Sequence, residues 1–157
     1  LNEEVKYMKE RSTTELSGLE IKKGINERSR AVYDLPSEEG FALVKLLQDE
    51  WKESGFVPKK MDPSMFNEFY KNCEYAYEYR YFIQVCTEKL GENSSDLQKA
   101  NIMSDMIVKN KKEIAFFEEN LAKYRNRRDD ESKKFASNLM VKRRKLEAKE
   151  LILENLS

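Results

Sequence analysis

Apolar positions recur along this chain at three- and four-residue steps, the period of one helix face. The longest such run lies between Asp96 and Leu156, a stretch with no proline and no glycine. Its apolar row is Met103, Ile107, Ile114, Phe117, Leu121 and Tyr124, and it resumes after a gap with Phe135, Leu139, Leu146 and Leu153. The pattern predicts one very long C-terminal helix over about 95–155, roughly 90 Å at ~1.5 Å per residue. Arg125 to Lys134 holds no apolar residue. Beyond it Leu139, Leu146 and Leu153 are out of register with Ile114 and Leu121, and the step from Phe135 to Leu139 has the size of a stutter. The alternative is a polar turn at Asn126–Asp130 that folds 135–155 back as a fifth helix. The absence of glycine and proline favours continuity.

Upstream, Leu1, Val5, Met8, Leu16, Leu19, Ile25, Val32 and Leu35 predict a helix over 2–34. Gly18 and Gly24 weaken it and allow a break or kink between them. Leu35-Pro36 ends it, because the residue before proline is pushed out of the α region. Ser37 is the expected N-cap of a second helix over 37–53, with Phe41, Val44, Leu47 and Trp51 on one face and Leu43 and Leu46 beside it. Ser54-Gly55 stops this helix. Residues 56–61 read as an extended connector whose Phe56 and Met61 tuck onto the bundle. Asp62-Pro63 starts a third helix, 62–90, and Gly91 is its expected terminator. This third helix is aromatic over much of its circumference. Phe66, Phe69, Tyr70, Cys73, Tyr77, Tyr81 and Val85 form one stripe, and Tyr75, Tyr79, Phe82 and Cys86 an adjoining one. Neighbours on both sides are expected. Ser94 or Ser95 caps the last helix.

Composition agrees with long helices carrying solvated faces. Charged residues make up 37% and hydrophobic ones 39%, and five glycines and three prolines are too few for a sheet protein rich in turns. The expected fold class is all-α: an elongated helical bundle or antiparallel coiled coil of about four helices. It would be a single domain over 1–157 or a fragment of a larger protein.

Net charge is formally zero but unevenly spread. Residues 1–96 carry 14 basic and 19 acidic side chains, and residues 97–157 carry 15 and 10. The two cysteines, Cys73 and Cys86, lie thirteen apart on one expected helix and point in different directions, so they cannot pair with each other. That suits a reducing compartment, and a cytoplasmic location is expected. The first residues show no signal-peptide pattern, and no apolar run approaches the ~18 residues of a membrane span.

The chain has no histidine. That removes the usual general base, the common zinc and iron ligand, and every Ser-His or Cys-His nucleophile arrangement. No phosphate-cradling glycine motif occurs. The expectation is therefore a non-enzymatic chain with no cofactor, no metal and no small-molecule substrate. Three features could carry binding. The first is a dimer or partner seam: Ile107, Ile114, Phe117, Leu121, Tyr124, Phe135, Leu139 and Leu146. The second is a basic run, Lys123, Arg125, Arg127, Arg128, Lys133, Lys134, Lys142, Arg143, Arg144 and Lys145, facing three acidic residues in the same span. The third is an aromatic core or groove at Phe66, Phe69, Tyr70, Tyr77 and Tyr81. The leading functional expectation is a scaffold or adaptor in a larger cytoplasmic assembly, homodimeric and binding protein partners. The alternative is a BAR-like membrane-surface module, by architectural analogy, binding anionic lipids through the basic face and peripheral at the membrane. Nucleic acid is the less favoured partner, because no aromatic residues interleave with the basic ones for base stacking.

Overall fold

The computed structural model describes residues 2–123 and 130–156, with side chains for 16–123 and 130–156. The described residues form five α-helices and two short 3-10 turns, and no strand occurs among them. The chain packs as two compact units, Leu1–Ala76 and Tyr77–Ser157.

In the first unit, α1 spans Asn2–Ser29 without the break that Gly18 and Gly24 allowed. Gly18 is instead a site of close approach: a Cβ there would stand 2.9 Å from Val57 Cγ2 and 3.0 Å from the Ser54 carbonyl. The helix ends earlier than the pattern predicts, giving way to a 3-10 turn over Arg30–Asp34. Leu35 then takes the extended conformation that Pro36 demands, with φ −104° and ψ 149°. α2 spans Ser37–Glu53. Ser37 is its first residue rather than its cap, and no side chain caps this end. Gly55, at φ +89°, turns the chain where only glycine does so without strain.

α3 spans Pro63–Leu90. Its start is as expected, with the Met65 N–H donating to Asp62 Oδ1 at 3.1 Å. Leu19, Val57, Met65 and Phe66 form a buried cluster, against which Trp51 and Tyr70 pack. Trp51 stacks flat on Phe69, with centroids 4.1 Å apart and planes 6° from parallel, and meets Phe66 edge-on at 5.1 Å. Phe56 and Met61 do not tuck in. Phe56 is 81% exposed and Met61 38%, and Val57 takes the buried place.

A row of polar groups, with Asn26, Ser29 and Asn72 buried, ties α1 and the 3-10 turn after it to α3. The Tyr33 hydroxyl donates to Asn72 Oδ1 at 2.6 Å, and Asn72 Nδ2 donates to Ser29 Oγ at 2.9 Å. Asn26 Nδ2 and Arg30 Nε both donate to Glu68 Oε1, at 2.9 and 2.6 Å. The hydrogen bond from Arg30, with that from Asn26, holds the Glu68 carboxyl below its ordinary 4.5. A carboxyl depressed in the folded state adds stability above its ordinary value and loses it as pH falls through the lower one. Acid titration of the wild type should therefore show stability declining below about 4.5. Glu68→Gln should flatten part of that decline, and equal acid sensitivity of both proteins in thermal melts would contradict the assignment.

The second unit contains the later part of α3 with two further helices, α4 (Asp96–Lys123) and α5 (Asp130–Leu156). Gly91 terminates α3 at φ +77°, its N–H donating to the Thr87 carbonyl at 2.9 Å. Ser95 and Gln98 cap α4 reciprocally: the Gln98 N–H donates to Ser95 Oγ at 3.2 Å and the Ser95 N–H to Gln98 Oε1 at 3.0 Å. Here α3 buries Glu78, Phe82 and Cys86, which are four residues apart, while Tyr81 is 56% exposed. Tyr81 is thus not the core residue its stripe implied.

The single long C-terminal helix is replaced by two helices that run antiparallel. Phe117 meets Phe135 with centroids 5.9 Å apart, and Lys142 reaches Glu113 at 3.2 Å. In an unbroken helix Phe117 and Phe135 would be about 27 Å apart. Burial explains the reversal. A straight helix would leave both apolar rows in water unless another chain covered them, whereas folding back lets each row cover the other. Met103, Ile107, Ile114 and Leu139 are buried as a result. The two helices match the alternative reading of 135–155 as a fifth helix folded back, and the turn it placed at Asn126–Asp130 lies, except for Asp130, outside the described residues.

Candidate functional site

The α4–α5 hairpin holds two of the three features that sequence pattern singles out. Of the seam, Ile107, Ile114 and Leu139 are buried, and Phe117, Leu121, Phe135 and Leu146 are half-buried within the single chain. Tyr124 lies outside the described residues. The seam is thus largely occupied by the chain's own two helices and is not an open face on α4.

The basic run divides in the same way. Lys142 donates to Glu113 Oε2 at 3.2 Å and lies 4.8 Å from the Phe117 ring centroid. Arg143 donates to Glu118 Oε1 at 2.9 Å. These pairs clamp α5 to α4, and the Arg143–Glu118 pair borders a shallow hollow also lined by Leu121, Leu139 and Ser132. They are partly solvated pairs, each worth about 0–1 kcal/mol. Arg144 is half-buried, while Lys123, Lys133, Lys134 and Lys145 are exposed. Arg125, Arg127 and Arg128 lie outside the described residues. The acidic side chains that α4 brings up, Glu113 and Glu118, are far from the run in sequence, so only the reversal reveals the pairing.

The aromatic feature lies on α3. Phe66 and Phe69 are buried, Tyr70 and Tyr77 half-buried, and Tyr81 exposed. Phe66, Phe69 and Tyr70 pack around the partly buried Trp51.

Two lysines matter that the pattern did not single out. Lys149 on α5 is buried with Glu78 on α3, its ammonium 2.6 Å from Glu78 Oε2. The ammonium gives this buried carboxylate its counter-charge. Lys22 is 3% exposed and donates to the carbonyls of Trp51 (3.0 Å) and Gly55 (2.7 Å) and to Ser54 Oγ. Burial lowers its pKa. The legible signal for both was a lysine inside an apolar row: Lys22 between Leu19 and Ile25, and Lys149 between Leu146 and Ile152.

The thiols are both free and buried. Burial pushes Cys73 up to about 12 and also raises Cys86, so neither is a thiolate nucleophile at neutral pH. Among the described residues no three His, Cys, Asp or Glu side chains are grouped to hold a metal ion, and no helix is long and apolar enough to cross a membrane.

What the hairpin leaves open is an outer apolar surface. Leu97 and Val108 lie eleven residues apart, three helical turns, and so share one face of α4 turned away from Met103, Ile107 and Ile114. Ala115 continues that line and Phe116 stands next to it. Leu97, Val108 and Phe116 are 73%, 53% and 61% exposed, and Met140 and Val141 on α5 are exposed as well. Comparison with protein-family models, with curated proteins and with solved structures finds no match for this chain.

Proposed function

We propose that this chain is a non-enzymatic helical scaffold of the bundle type, which associates through the outer face of α4. The observation that carries the reading is that Leu97 and Val108 on one line of α4, with Phe116 about a quarter-turn round from them, are exposed on the side of the helix that α5 does not cover. Large apolar side chains left exposed on the uncovered side of a helix give a protein partner a surface to bury. A second copy of the chain is the partner the reading names, since two such faces can meet about a two-fold axis. Buried, unpaired thiols suit the cytoplasmic setting expected of such a scaffold. The basic run of α5 gives the lipid-binding alternative less support, because Lys142 and Arg143 are engaged with Glu113 and Glu118.

Sedimentation equilibrium tests this reading. The wild type is expected to dimerise, and Val108→Glu with Phe116→Glu should return it to the monomer mass with helicity unchanged. Both side chains are exposed, so the fold does not depend on them. A wild type that stays monomeric at high concentration, or a double variant that still dimerises, overturns the proposal.

A further inference from the structure

We propose that the connector between α2 and α3 is a membrane-contact tip for anionic lipid headgroups, with Phe56 entering the bilayer interface and Lys52, Lys59 and Lys60 around it. Among the described residues Phe56 is the most exposed of the large apolar side chains, at 81%. It is not a stray residue on a helix surface, because the backbone on both sides of it is held. On one side Lys22 donates to the carbonyls of Trp51 and Gly55, and Ser54 Oγ donates to the Trp51 carbonyl at 2.6 Å. On the other side Val57 is buried against Gly18, where no larger residue fits without displacing it. Gly55 at φ +89° makes the turn between them. The ring therefore projects from a fixed base, and the ordering that binding would require is largely complete beforehand.

The surroundings match an anionic surface. Lys52, Lys59 and Lys60 are exposed, and the Lys59 ammonium lies 5.7 Å from the Tyr70 ring centroid. Of the acidic neighbours, Glu53 is exposed and Asp62 is occupied in capping α3. An aromatic ring among lysines is the composition of an interfacial anchor. Size decides between a bilayer and a protein. A stable protein interface takes about 800 Å² from each partner. One projecting ring beside the partly exposed Met61 is much less than that, but a deformable bilayer can receive it alone. Binding of this kind is weak and reversible. Each lysine near an anionic surface contributes about fivefold and the buried ring roughly tenfold or more.

The test is co-sedimentation of the full chain with vesicles of phosphatidylcholine alone and with phosphatidylserine added, at low and moderate salt. Binding is expected only to the anionic vesicles and should weaken with salt. Phe56→Ser should lower the partition coefficient roughly tenfold, and Lys59→Glu with Lys60→Glu should abolish it. Lys133→Glu with Lys134→Glu, on exposed positions of α5, should change it less than about twofold if the connector is the site. All of these residues are exposed, so unchanged circular dichroism will accompany each variant. No binding by the wild type overturns the proposal, as does full binding by the Phe56 variant. Phe56-dependent binding to soluble polyglutamate but not to vesicles would assign the tip to an acidic protein instead, and would equally overturn it. The proposal stands apart from dimerisation through α4, since neither set of substitutions touches the other surface.

Discussion

Lys149→Met is expected to destabilise the protein by about 3–5 kcal/mol, the penalty for leaving a buried carboxylate without its counter-charge. Glu78 and Lys149 have side chains only 10% and 7% exposed, and the ammonium stands 2.6 Å from Oε2. Water cannot replace the lost partner at such a site. The same substitution at Arg143, whose side chain is 58% exposed against Glu118, should cost less than about 1 kcal/mol. The double variant Glu78→Met, Lys149→Met is the sharper part of the expectation. It removes both charges together and should recover most of the loss, because the pair's mutual attraction only offsets the desolvation of both ions. Urea unfolding followed by circular dichroism reads all three. A single variant no less stable than Arg143→Met would show that the Glu78 site is wet or that the pair does not form. A double variant as poor as the single would show that Lys149 supports the unit through packing of its methylenes and not through its charge.

The second large effect is at Trp51. Trp51→Ala should cost about 3–5 kcal/mol, the range for removing a large aromatic from a core. The indole is stacked on Phe69, meets Phe66 edge-on and lies 5.0 Å below the Lys22 ammonium. Its removal would leave Phe66 and Phe69 facing a cavity and withdraw the ring against which the buried Lys22 charge is placed. Trp51→Phe keeps a ring in the stack and should cost less than half as much, about 1–2 kcal/mol. Thermal melts by circular dichroism separate the two. Equal losses from both variants would mean that the indole nitrogen, and not the stacked ring, carries the effect.

Much of the helix inventory was legible because it is encoded locally. Asp62-Pro63, Gly91 and Ser95 carry their signals within three or four residues, and the backbone follows them. Where local signals misled, a distant residue had overruled them. Gly18 looked like a helix weakness, but Val57 and Ser54 fill the space beside it. Phe56 looked like a core residue by hydrophobicity, but Gly55 turns the chain so that Val57 goes in and Phe56 goes out. The outer face of α4 was not singled out by sequence pattern, which pointed to the seam on the covered face. Leu97, Val108 and Phe116 are plain in the sequence, yet which face of α4 stays open depends on which face α5 covers. Nothing in a basic run such as Lys142-Arg143-Arg144-Lys145 says that Glu113 and Glu118 will meet it.

By itself the sequence determined that the described chain is helical, and where most helices start and stop. Period, caps, glycines and prolines act over three or four residues and need no knowledge of the rest. It also determined which chemistry is missing, since a chain without histidine lacks that side chain in any fold. The tertiary structure decided the reversal that sets α5 against α4, the pairing of Lys149 with Glu78, the burial of Lys22 and the exposure of Phe56. Each of these depends on residues brought together from far apart in the chain. A row of apolar residues reads the same whether a second chain or a later segment of its own chain covers it. The choice is made by which arrangement removes more apolar surface from water while giving each buried charge a partner.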